Sequence, residues 1–304
     1  MNRTDMAREA RALNRDIDGV TEDIEETGGV TVSRIGIESQ KASIMLDKPT
    51  GRYITIEAPK LEYRDTEQMQ TVRNVFAKEL CLLLEKNTAG KSVLVAGLGN
   101  RFVTPDALGP RTAEKVFVTR HIQKMPEFSE LAGCRCVAAV SPGVLGTTGI
   151  ETMEMIRGIV SAVQPDALIC IDALASIRAE RISTAIQMND TGISPGAGIG
   201  NFRQSINQET LGIPVIAIGV PMVVSAATIL QDAMQEIAKV SGETDNADTL
   251  VKMAHSTMPQ AFLDMIVTPK DIDQVLSDMS SILAEGINRA LFGESYQDVR
   301  EWMQ

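Results

Sequence analysis

The apolar positions of this chain fall into short, continuous runs divided by glycine-rich loops, and that pattern predicts an α/β sheet. Ser92-Val-Leu-Val-Ala-Gly97, Cys136–Val140, Ala167-Leu-Ile-Cys-Ile-Asp172 and Pro214–Gly219 are brief and aliphatic, as strands buried on both faces are. Segments with helical spacing follow them, from about Gly109 to His121, from about Ile150 to Val163, and from Ser225 to about Val240. This alternation implies a mostly parallel sheet with helices on both faces and right-handed crossovers. Arg181–Met188 reads as one more strand. Ahead of this core, Thr4 to about Asn14 reads as a helix and Gly19–Gly29 as an acidic loop. Val30–Ile37, Lys41–Leu46 and Tyr53–Glu57 read as an N-terminal antiparallel sheet insertion. Thr66–Leu84 is a helix with Met69, Val72, Val75, Phe76, Leu80 and Leu83 on one face. Residues 241–270 read as irregular, with Pro259 and Pro269 as breakers, and Asp271 to about Leu291 as a closing helix. Residues 6–304 are expected to form one domain, antiparallel strands and a helix over 6–90 and the α/β core over 91–304.

Composition narrows the chemistry. Aromatic residues are only 4%, so the core must be aliphatic, with the 15 methionines as fillers. A net charge of −11 argues against direct nucleic-acid binding, which needs a basic surface. No run is long enough to span a membrane, and Met1-Asn-Arg-Thr-Asp5 lacks the apolar stretch of a signal peptide. The four cysteines form no Cys-x-x-Cys pair, which predicts reduced, mostly core thiols in an intracellular protein.

With two histidines, His121 and His255, neither in a recognisable motif, nucleophilic dyads and histidine-rich zinc sites are poor readings. His121 reads as a charge at a helix end. Carboxylates remain. Asp106 lies in the loop after the first core strand, and Asp172 ends the third. Ligands bind beyond the carboxyl ends of strands in open parallel sheets, so these two acids are placed to face one cleft. Asp106 alone is better explained by a favourable charge at a helix N-terminus. Asp172 is harder to dismiss, because a carboxylate in an apolar strand is costly unless used. Two neighbouring carboxylates split their titrations, one taking a proton from water and the other donating one, and together they hydrolyse an amide without histidine. The fixed strand position of Asp172 favours it as the ionised base.

Three loops carry further patterns. Gly97-Leu-Gly-Asn100 starts like a dinucleotide fingerprint but has Phe102 where the third glycine belongs. Ser141-Pro-Gly-Val-Leu-Gly-Thr-Thr-Gly-Ile-Glu151 contains Thr148-x-x-Glu151, a capping-box pattern; its Gly143 and Gly146 suit either a capped helix or an oxyanion-binding turn. Ser194-Pro-Gly-Ala-Gly-Ile-Gly-Asn201, with Gly196 and Gly198, suits close backbone approach to a ligand or simple flexibility.

Taken as strings, these loops resemble the germination protease family of spore-forming bacteria. The resemblance rests on Gly97-Leu-Gly-Asn-Arg-Phe-Val-Thr-Pro-Asp-Ala-Leu-Gly-Pro110, Pro142-Gly-Val-Leu-Gly-Thr-Thr-Gly-Ile-Glu-Thr152 and Ile171-Asp-Ala-Leu-Ala175. Pro195–Asn201, Ile213–Pro221 and Val267-Thr-Pro-Lys-Asp-Ile-Asp273 extend it. It implies a hydrogenase-maturation-protease-like (phosphorylase/hydrolase-like) fold and an atypical aspartic endopeptidase, long classed among metallopeptidases, whose essential acids match Asp106 and Asp172. It implies small acid-soluble spore proteins as substrates, cleavage after an acidic residue during germination, no cofactor, a homotetramer, and a site in the spore core. It also implies a zymogen. Thr4-Asp-Met-Ala-Arg-Glu9 resembles the family's substrate sites, which makes residues 1–5 a short prosegment and Asp5–Met6 the self-processing bond. The acidic stretch Glu22–Glu26 would then be placed to repel acidic peptides.

Other readings make different predictions. A metal-dependent peptidase would use the same carboxylates as ligands, although two acids alone hold a transition metal poorly and no third ligand has a suggestive spacing. A non-catalytic binding protein would tolerate loss of both acids. A peptidyl-tRNA hydrolase is echoed by Gly97–Asn100 and Thr119-Arg-His121, but the spacing is too long and the charge is wrong.

Overall fold

The computed structural model describes residues 17–88, 90–123, 134–176, 178–195, 204–242 and 247–303. Among them, nine strands form one sheet: β1 Val20–Thr27, β2 Val30–Ile37, β3 Gly51–Glu57, β4 Ser92–Gly97, β5 Cys136–Val140, β6 Ala167–Ser176, β7 Ala185–Asn189, β8 Val215–Ser225 and β9 Ile266–Val267. The helices are α1 Gln40–Leu46, α2 Thr66–Asn87, α3 Leu108–Ala113, α4 Leu145–Thr148, α5 Thr152–Val163, α6 Gln208–Leu211, α7 Ala226–Ser241, α8 Ala247–Thr257, α9 Gln260–Leu263, α10 Ile272–Phe292 and α11 Tyr296–Trp302.

The strand order is β1-β2-β3-β7-β8-β6-β4-β5, with β9 beside β8. β5, β4, β6 and β8 run parallel, as their unbroken apolar runs predict. The N-terminal strands are antiparallel, as expected, but they are not a separate layer. β3 pairs with β7, and β7 with β8, so they continue the core sheet. Helices cover both faces. On one face, Val72, Phe76 and Leu80 of α2 and Ile282, Leu283 and Ile287 of α10 pack over Val93, Val95, Ile169 and Ile218. On the other, Met153, Ile156 and Val160 of α5 cover Leu94, Ala96, Leu168 and Cys170.

Several local expectations give way. Lys41–Leu46 is helical, not a strand. Ser39 caps α1 by accepting from Ala42 N–H at 3.1 Å, and Ala42 and Leu46, one turn apart, are the buried pair. The acidic stretch is strand β1, not a loop. The two-residue turn Gly28-Gly29, with φ of 56° and 73°, closes a hairpin onto β2. β1 is an edge strand five places from β6, so its acids stand across the sheet from Asp172. The helix expected through His121 ends at Ala113. Thr119 and Arg120 N–H instead donate to Val137 O at 2.9 and 3.0 Å, a pairing with edge strand β5 that propensity does not reveal, and His121 lies in a turn. Residues 241–270 are not irregular throughout, since α8, α9 and β9 lie there. The expected Thr148–Glu151 capping box is absent. α5 starts one residue after Glu151, whose N–H donates to Glu154 Oε2 at 3.3 Å. The four cysteines are free thiols, and of them only Cys170 is fully buried. The helix expected over Thr4–Asn14 lies outside the described residues.

Candidate active site

Asp172 lies within β6, not at its end. β4 stops at Gly97, level with Ile171, so Asp172 is the first β6 residue without a β4 neighbour. On its other side it is level with Gly219, and the β6–β8 ladder runs on to Ser176. Asp172 is therefore buried, at 7% exposure, where the sheet opens on one side only. Its Oδ1 accepts from Ala173 N–H at 2.9 Å. Burial, reinforced by the charge of Asp172, pushes the Cys170 thiol well above its ordinary range, which makes that thiol inert as a nucleophile.

Asp106 reaches the same edge from the β4 loop. Val103 N–H donates to Asn100 O at 3.1 Å and Asp106 N–H to Val103 O at 2.8 Å, giving the 3-10 turn Thr104–Asp106. Asn100 N–H then donates to Asp106 Oδ2 at 2.8 Å, so the loop fastens its own carboxylate. Two glycines let this loop close. A Cβ on Gly109 would stand 2.2 Å from Leu98 O and 2.4 Å from Ile171 O. A Cβ on Gly99, at φ +105°, would stand 2.1 Å from Asp106 O. Leu98 N–H donates to Ile171 O at 2.8 Å. The loop bearing Asp106 thus packs on β6 at Ile171, the residue before Asp172, and its turn meets both β6 and β8, which brings the two acids singled out in the sequence to the same edge of the sheet. The glycines that imitate a phosphate loop are needed for backbone-to-backbone contact.

The loop after β5 leaves the same edge, beyond β4 from Asp172. Gly143 has φ +77°, and its carbonyl accepts from Thr152 Oγ1 at 3.2 Å, tying the loop to α5. Gly146 faces open space, and residues 145–150 are exposed. Phe102, at 82% exposure, with Leu145 and Ile150, leaves apolar side chains exposed on these two loops. Gly196, Gly198, Asp5 and Met6 lie outside the described residues.

A germination protease family model matches residues 1–262. The germination protease of Clostridium perfringens (strain 13) is 44% identical over 314 residues, covering 95% of this chain and 94% of its own. That of Caldanaerobacter subterraneus is 44% identical with the same coverage. That of Bacillus cytotoxicus is 38% identical, covering 97% and 95%. The chain belongs to the germination protease family. It is therefore a peptidase. Among solved structures, a NiFe hydrogenase maturation protease, HycI of Thermococcus kodakarensis, matches with TM-score 0.34 and 15% identity over 66% of this chain and 94% of its own.

Two further features of this family member bear on chemistry. Among the described residues no three His, Cys, Asp or Glu side chains converge as a metal site. Two hard carboxylates are a weak donor set for a transition metal, so the residues present do not fit one. The second feature escapes sequence reading. Asp172 is level with Gly219, Gly219 with Gln187, Gln187 with Thr55 and Thr55 with Ser33. A row of four buried polar side chains, interrupted at Gly219 on β8, thus runs from β6 to β2 on the face of Asp172. Only the strand register creates it, and no local pattern in the sequence signals Gln187.

Proposed function

We propose that this chain is the endopeptidase that begins degradation of small acid-soluble spore proteins during germination, cutting after an acidic residue with Asp106 and Asp172 as its catalytic pair. The observation that carries this reading is the glycine-closed contact between the Asp106 loop and β6 beside Asp172. One carboxylate takes a proton from water as its oxygen attacks the scissile carbonyl. The other donates a proton to the departing amide nitrogen. No covalent enzyme intermediate is needed, in keeping with the inert Cys170 thiol. The names of the relatives support spore germination as the setting. The acidic net charge and the lack, among the described residues, of any helix long and apolar enough to cross a membrane are compatible with action in the spore core, away from nucleic acid and membrane. The proposal includes self-processing at Asp5–Met6 and self-association, most simply as a homotetramer; exposed Ile237, Val240 and Met253 on α7 and α8 offer apolar surface for the latter.

The test is cleavage of a purified small acid-soluble spore protein by wild type, Asp106→Asn and Asp172→Asn, each with and without chelator. Wild type should cut after an acidic residue regardless of chelator, and each variant should lose activity by on the order of 10³-fold. Loss of cutting in chelator turns the pair into metal ligands, and active variants remove the assignment. Sequencing the N-terminus of the same aged preparation should find Met6; an intact Met1 in active enzyme rules out self-processing.

A further inference from the structure

The Val267–Asp273 string has no part in the chemistry above, yet it opens the helix on which the Asp106 loop rides. Along α10, Asp273, Ser277, Ser280 and Asn288 recur at spacings of three, four and eight residues, so they share one stripe of the helix. Each grips the chain between β4 and β5. Thr104 Oγ1, at the start of the turn that ends in Asp106, donates to Asp273 Oδ1 at 3.1 Å. Lys115 Nζ donates to Ser280 Oγ at 2.7 Å, Ser281 Oγ at 2.7 Å and Ser277 O at 3.2 Å. Asn288 Oδ1 accepts from Phe117 N–H at 2.9 Å, and its Nδ2 donates to Lys115 O at 3.2 Å. Ser280 and Asn288 are buried, at 1% and 3% exposure, so the distal grips are rigid parts of the core. Asp273 is the member of this stripe that grips the turn itself.

We infer that Asp273 is a positioning residue that sets Asp106 against Asp172 through the Thr104 hydroxyl. The inference rests on the catalytic pair proposed above. The turn bearing Asp106 is three residues long and half-exposed, and its carboxylate is fastened by a bond from within its own loop, Asn100 N–H. A loop fastened to itself moves as a unit. Backbone packing on β6 holds the base of this loop, and the Thr104–Asp273 bond adds a side-chain tie from the turn itself to the helix whose stripe is buried in the core. Removing a surface hydrogen bond changes stability little, whereas a shift of a fraction of an ångström in a catalytic group lowers turnover.

The experiment measures kcat and KM on a small acid-soluble spore protein for Asp273→Ala, Asp273→Asn, Thr104→Val and the Asp273→Ala/Thr104→Val pair, with Asp106→Asn alongside and thermal melting of each. Asp273→Ala should lower kcat about tenfold with KM within about twofold and the melting temperature little changed. Asp273→Asn, which keeps an acceptor, should restore most of the loss. Thr104→Val should match Asp273→Ala, and the double variant should be no worse than either single one. An unchanged kcat in Asp273→Ala, or losses that multiply in the double variant, overturns the inference. An active Asp106→Asn enzyme removes the catalytic reading itself; an inactive Asp106→Asn beside an unaffected Asp273→Ala removes only the role of Asp273.

Discussion

The two halves of the sheet are held together by different physics. In the parallel half, β5-β4-β6-β8, the decisive contacts are backbone against backbone: Gly109 on Leu98 and Ile171, and Gly99 on Asp106. In the antiparallel half, β1-β2-β3, ion pairs do much of the fastening. Arg34 on β2 reaches Glu79 of α2 through Nε at 3.0 Å and Nη2 at 2.6 Å, and meets Asp23 and Glu25 of β1 at 2.7 and 2.8 Å. Backbone contact leaves no slack, which suits the proposed pairing of Asp106 with Asp172. Long charged side chains tolerate adjustment, which suits an edge strand that needs only to be held down and kept from pairing with another chain. Backbone-to-backbone contact is concentrated on the side of the molecule that carries Asp106 and Asp172.

The sharpest way to break that contrast is Gly109→Ala. The added methyl would overlap two carbonyl oxygens, one just past β4 and one within β6, and neither backbone can move cheaply. A loss of about 3 kcal/mol or more in urea unfolding is expected, with peptidase activity falling further than stability accounts for, because the loop would be levered off β6. Stability near wild type would mean that the parallel half has slack after all.

Arg34→Met tests the other half. Glu79 is 1% exposed and would keep a buried charge without its guanidinium, so a cost of about 3–5 kcal/mol is expected by denaturant unfolding. Any surviving fold should cleave substrate normally. Asp23→Asn, at a carboxylate 70% exposed, should cost under about 0.5 kcal/mol. Equal costs for the two would show the network to be held from the surface.

A pH response is expected at Tyr53 on β3. Burial pushes its phenol up from 10.0 to about 12. The hydroxyl donates to Pro49 O at 2.8 Å and accepts from Thr191 Oγ1 at 3.1 Å. A raised value means that the neutral form stabilises the fold. That contribution is fully present below pH 10 and disappears as the pH rises through about 12, a loss of about 2–3 kcal/mol. Tyr53→Phe should remove this alkaline step from a plot of stability against pH; an identical step in the variant would assign it to another group.

Much of this arrangement is legible in the sequence because burial leaves a periodic trace. The four parallel strands are unbroken aliphatic runs, α2 and α10 show one apolar face, and the family strings mark the Asp106 and Asp172 loops. The misreadings occur where partners come from far along the chain. Thr119 and Arg120 abandon a helical pattern to pair with β5, and β1 looks like a loop because an edge strand has little apolar periodicity to display. Lys41–Leu46 carries a short apolar run that fits a strand or a helix equally well until the Ser39 cap decides.

The chain by itself determined which residue types were available for chemistry: one carboxylate closing a buried apolar run and one in the loop after another, few histidines, and no paired cysteines. Those are properties of composition and local pattern. Tertiary structure alone decided how close the Asp106 loop sits to β6, which residues line up across the sheet from Asp172, and that a stripe on α10 holds the loop. Each of these depends on strand register and helix packing, which are set by summed contacts between distant segments and leave no local trace.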